Sequence, residues 1–104
     1  MDQDAILENV RLFKKALEAV NIRVDQLILY GSHAVDTARD DSDIDIVVIS
    51  PSFSEMSYWE RIDILTEAIY QVFAPFDASA FTPEEWKSEK SVIVDFAQGG
   101  ISIN

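Results

Sequence analysis

Apolar positions recur at spacings of three and four from about Asp4 to Val20. Ile6, Val10, Phe13, Leu17 and Val20 form one stripe, with Leu7 and Ala16 beside it. This predicts an amphipathic helix. Asp2 or Asp4 can cap its start, where an acid also suits the helix dipole. Arg11, Lys14 and Lys15 lie mostly off the stripe and read as a solvated face. A turn over Asn21 to Arg23 follows. Gln26-Leu27-Ile28-Leu29-Tyr30 is then a short apolar run bounded by Gly31, the pattern of a buried strand. Residues 32–42 are polar. Ser32, Asp36, Asp40, Asp41 and Ser42 can all cap or turn, and a short helix is expected over Ser32 to Arg39.

The next run, DIDIVVIS from Asp43 to Ser50, is apolar and β-branched after its two aspartates. It reads as a central strand buried on both faces and ended by Pro51. Residues 54–73 predict a second long helix, with Trp59, Ile62, Leu65, Ile69 and Val72 on its inner face and Ser54 or Ser57 as its cap. Tyr58 and Trp59 are assigned to the core or its edge. Pro75 closes this segment, and Phe76 to Phe81 reads as a third strand. Thr82-Pro83-Glu84-Glu85 has the form of a capping box with Pro at the first helical position, opening a helix that carries Trp86, Ile93 and Phe96 or Ala97 on one face. Gly99-Gly100 stops it, and Ile101 to Asn104 is expected as a last edge strand. Helices alternating with strands predict one α/β domain over residues 1–104.

Composition narrows the function classes. The chain has 104 residues, 48% of them apolar, which is enough for a single core. Asp and Glu number 19 against 8 Lys and Arg, a formal net charge of −11. That balance argues against general nucleic-acid binding, which rests on Lys and Arg neutralising phosphates, and against docking on an anionic membrane. The absence of cysteine excludes disulfides, thiol catalysis and Cys-based zinc sites, and one His excludes a multi-His metal site. No apolar run approaches a membrane span and the start MDQD does not resemble a signal peptide, so a cytoplasmic location is expected.

The sharpest chemical feature is Gly31-Ser32, ten residues, then Asp43-Ile44-Asp45. On a strand Asp43 and Asp45 point the same way, about 6.5–7 Å apart along the backbone. Two such carboxylates need neutralising, and a hard cation with oxygen ligands, such as Mg²⁺, does so naturally. Gly31 allows close backbone approach, and the Ser32 hydroxyl and a helix start can hold phosphate oxygens. The Gly-Ser turn ends one strand, whereas the aspartates open the next, so the two strands must run antiparallel. A third acid can join only from the opening of a strand parallel to the second. Asp77 stands there. The expectation is therefore a mixed sheet, and neither GxGxxG nor GxxxxGK[ST] is present.

With these residues in hand, the segment GSHAVDTARDDSDIDIVV resembles the signature of the nucleotidyltransferase superfamily that includes DNA polymerase beta, and most closely its minimal nucleotidyltransferases. Ala34 and Ser42 fill two further positions of that pattern. The resemblance implies a polymerase-beta-like core, a mixed sheet with helices packed against it. It implies that Asp43, Asp45 and Asp77 bind two Mg²⁺ ions, with Asp77 helping to deprotonate an acceptor hydroxyl. It implies that Gly31 and Ser32, with Ser42 and Arg39 nearby, hold the phosphates of a nucleoside triphosphate such as ATP. The reaction implied is transfer of a nucleoside monophosphate with release of pyrophosphate.

The resemblance also implies a partner. A chain this short leaves almost no room for an acceptor-binding domain, and minimal members are typically paired with a small helical HEPN-family protein, as a split enzyme or as an antitoxin that adenylylates its toxin. Self-association is left open. Family members commonly carry Arg-Gly after the Ala, where this chain has Val35-Asp36. That removes a cation which would face the triphosphate, and Arg39 offers one from the same loop. The alternative reading is a catalytically weakened nucleotide-binding or partner-binding module. His33 reads as a solvated loop residue, and Asp36, Asp40 and Asp41 as facing water.

Overall fold

In the computed structural model the chain is described over residues 3–31, 43–88 and 100–103. The elements are helix α1 (Gln3–Ala19), strands β1 (Gln26–Tyr30) and β2 (Ile44–Ile49), a 3₁₀ turn (Pro51–Phe53), helix α2 (Tyr58–Val72), strand β3 (Phe76–Phe81), helix α3 (Pro83–Ser88) and strand β4 (Ile101–Ile103). The expected strands, the first two long helices and the capped start of the last helix are all present. The expected helix over Ser32 to Arg39, and the continuation of α3 to Phe96 or Ala97, lie outside the described residues.

Local chemistry sets the boundaries. Helix α1 ends where Asn21 takes φ 68°. The Ile22 N–H then donates to Leu17 O at 3.1 Å and the Asn21 N–H to Glu18 O at 3.0 Å, a pairing that satisfies the last carbonyls of the helix. Ile22 is buried as it leaves the turn. Helix α2 is capped by Ser57, whose Oγ accepts from the Glu60 N–H at 3.2 Å. It ends at Phe73, in the left-handed region at φ 59°. Helix α3 opens with the expected reciprocal box: the Thr82 N–H donates to Glu85 Oε1 at 2.8 Å, and the Glu85 N–H to Thr82 Oγ1 at 3.1 Å.

The strands form one mixed sheet in the order β3-β2-β1-β4. β1 runs antiparallel to β2 and to β4, and β2 runs parallel to β3. β2 is an inner strand, as its near-continuous apolar run requires. One sheet face carries Leu27, Leu29, Ile44, Ile46, Val48 and Phe76, in one cluster with Ile6, Val10, Phe13 and Leu17 of α1 and with Leu65 and Ala68 of α2. The rings of Phe13 and Phe76 stack at 4.7 Å. The opposite face carries a smaller cluster: Ile28, Tyr30, Val47 and Ile49, with Phe81 and Trp86 against it.

One expectation fails. Trp59 is 72% exposed and Tyr58 67% exposed, so neither belongs to the core. The inner line of α2 is set by Leu65 and Ala68. Six residues at 100° each put Trp59 about 120° away from Leu65 around the helix. Tyr70 and Phe73 are likewise exposed at the far end of α2.

Candidate active site

The antiparallel pairing of β1 with β2 sets Tyr30, the last residue of β1, opposite Asp45. The parallel pairing of β2 with β3 sets Asp45 beside Asp77. Adjacent strands lie about 4.8 Å apart, so three backbone positions from three strands meet at one end of the sheet. Side chains alternate along a strand. Asp45 therefore shares the face of Val47 and Ile49, Asp77 the face of Ser79 and Phe81, and Tyr30 the face of Ile28. Asp43, just before β2, has the parity of Asp45. Asp43 and Asp77 are exposed and Asp45 is half-buried.

Gly31 closes the site from the β1 side. Its φ is +74°, a conformation that side chains rarely adopt. A Cβ built on it would run into Asp45 Oδ2. The glycine thus lets its own backbone press against the Asp45 carboxylate. Ser32, Arg39 and Ser42, expected to contact phosphates, lie outside the described residues, as do His33, Val35 and Asp36.

Tyr30 is the functional neighbour that sequence reasoning missed. It is 9% exposed. Its hydroxyl comes near Ser79 of β3, so the ring reaches across β2. Burial pushes its pKa above the ordinary 10.0, and the charges of Asp45 and then Asp77 push it further, while the Ser79 hydroxyl pulls the other way. The phenol therefore senses both carboxylates. The signal was a hydroxyl-bearing residue directly before Gly31, with the same parity as buried Ile28.

These residues fit a divalent cation in kind. The donors are all carboxylate oxygens, suited to a hard ion. Among the described residues, no three acidic or histidine side chains are gathered into a group that could hold an ion. The fold brings the strand positions of Asp45 and Asp77 together.

A family model described as a nucleotidyltransferase domain matches residues 10–98. The chain belongs to this family of nucleotidyltransferase domains. Its fold is similar to the crystal structure of a candidate nucleotidyltransferase from Sulfolobus solfataricus, with a TM-score of 0.67 and 20% identity over 85% of this chain and 77% of that one. No curated protein matches the sequence. Among the described residues no helix is long and apolar enough to cross a membrane.

Proposed function

We propose that this chain transfers a nucleoside monophosphate, AMP from ATP, to an acceptor hydroxyl. The observation that carries the reading is the register that sets Asp45 beside Asp77, with Gly31 packed on Asp45. Two Mg²⁺ ions, held by Asp43, Asp45 and Asp77, would supply charge neutralisation at the triphosphate and at the attacking oxygen. Asp77, exposed at the strand opening, would take the proton of the acceptor. The new bond joins the acceptor oxygen to the α-phosphorus, the α–β anhydride bond breaks, and pyrophosphate leaves. Gly31, with Ser32, Arg39 and Ser42 from the residues that follow it, would hold the β- and γ-phosphates.

The double variant Asp43→Asn, Asp45→Asn is expected to lose transfer of label from α-labelled ATP while keeping the circular dichroism of the native chain. Undiminished transfer by a folded double variant would sink the reading.

The acceptor reading is a helical HEPN-type partner, modified as a toxin or completing a split enzyme. The exposed Tyr58, Trp59, Tyr70 and Phe73 along α2 support a protein partner. Co-expression with a HEPN-family helical protein encoded beside this chain should give a complex and a labelled partner band after incubation with labelled ATP. A monomer that labels only free small molecules contradicts it.

One observation favours a second reading, a nucleotide-binding module with weakened catalysis: Val35-Asp36 stand where family members commonly carry Arg-Gly. Calorimetry with Mg-ATP and Mg-GTP separates the two, because saturable binding without turnover belongs to the second alone.

A further inference from the structure

Among the described residues strand β3 is the outer strand of the sheet on its side, and it is six residues long. A groove of about 610 Å³ runs beside it. Five consecutive strand residues, Asp77 to Phe81, line this groove. Successive side chains of a strand point to opposite faces, so five in a row share only the backbone edge. The groove therefore follows the free edge of β3. Its other wall is α2, through Met56 before the helix and Tyr58, Ile62 and Leu65 within it. It is open because the residues that β3 turns toward α2 are Ala78 and Ala80.

The hydrogen-bond directions are fixed. The Ile44 N–H donates to Pro75 O at 2.7 Å, and the Ser50 N–H to Phe81 O at 2.9 Å. Both carbonyls belong to the odd-numbered residues and face β2. In a parallel ladder the direction alternates residue by residue, so Phe76, Ala78 and Ala80 turn their backbone groups outward. The Phe76 N–H is taken by Ala74 O. No described residue takes the N–H groups of Ala78 and Ala80.

Folded proteins usually blunt such an edge with a charge, a bulge, a proline or a short strand. The opposite edge follows that rule, because β4 has three residues. β3 instead is six residues long and, after Asp77, presents an Ala-Ser-Ala run.

We propose that the free edge of β3 docks an extended, basic segment of a partner polypeptide, which adds a fifth strand and lays alternate side chains into the groove beneath α2. Backbone pairing would supply affinity, and the groove would supply selection. Charge decides the occupant. Glu55, Glu60 and Glu84 are exposed on the segments that border the groove. The base lining it, Arg61, is bound by Glu85 at 2.7 Å and 3.1 Å. A second copy of this chain would bring a further formal charge of −11 to the same edge, whereas a basic strand is attracted to it. This inference does not depend on the transfer chemistry.

The test is fluorescence anisotropy with the labelled peptide KVTVKVTV at physiological salt. Three probes accompany it: its acidic counterpart EVTVEVTV, a fully backbone N-methylated KVTVKVTV, and the variant Ala78→Pro. Proline at 78 deletes one outward N–H and is tolerated on an edge strand. Saturable binding of the basic peptide is expected. Binding should weaken by about tenfold or more for the acidic and the methylated peptides, and for the folded Ala78→Pro chain. Absent binding of the basic peptide overturns the proposal. So does equal binding of the methylated peptide, a comparison that needs no variant. Sedimentation showing a dimer of the chain that Ala78→Pro dissociates also overturns it, because the edge then serves self-association.

Discussion

Gly31 shows how one residue without a side chain organises a charged one. Its left-handed backbone costs a non-glycine residue about 1 kcal/mol, and a Cβ there meets the end of the Asp45 side chain rather than rigid backbone. Gly31→Ala should therefore leave the fold standing, with a stability loss of about 1–2 kcal/mol in urea unfolding, while displacing the Asp45 carboxylate. Binding of Mn²⁺ followed by paramagnetic resonance should weaken by more than that stability loss accounts for. Unchanged Mn²⁺ affinity would mean that the approach of Gly31 to Asp45 has no bearing on the site. The glycine was legible in the sequence, and so were the three acids. Tyr30 was not, because its importance comes from reaching across a neighbouring strand to Ser79.

At the scale of elements, helix starts and strand cores were readable and lateral facing was not. The capping boxes act within four residues, so the pattern around Thr82 and Glu85 was sufficient to place α3. Trp59 was misplaced because a helical stripe has two flanks, and only packing chose Leu65 and Ala68 as its centre.

Arg61 joins the elements. It donates through Nη1 and Nη2 to Glu85 of α3, and through Nη2 to Phe53 O at 2.7 Å. This guanidinium, with help from the Thr82 N–H and hydroxyl, holds the Glu85 carboxyl below its ordinary 4.5, against the opposing effect of burial. A lowered carboxyl pKa adds stability that is present above pH 4.5 and lost as the pH falls through the folded value. Glu85→Gln keeps the capping geometry and removes the charge. It should lower the urea midpoint at pH 7 and have much less effect near pH 3. The Glu85 side chain is 40% exposed, so the loss at pH 7 should be at most about 1 kcal/mol. An equal effect at both pH values would assign the role to packing instead.

For the whole molecule, the net charge of −11 argues against a general nucleic-acid binder but says nothing of how the acids are distributed. Asp43, Asp45 and Asp77 come to one end of the sheet only because β1 is antiparallel and β3 parallel to β2. That mixed topology was itself deducible, since a turn after one strand and acids opening the next can meet in no other way. Periodicity, caps and motif spacing are short-range properties, and the sequence by itself determined them: the helices, the strands, the acids and the family. Three things were decided by the tertiary structure alone: the reach of Tyr30 across β2, the exposed aromatics of α2 and the open edge of β3. Each depends on which element lies beside which, and on the small volume of Ala78 and Ala80 beneath α2, relations between residues far apart in the chain that no local pattern encodes.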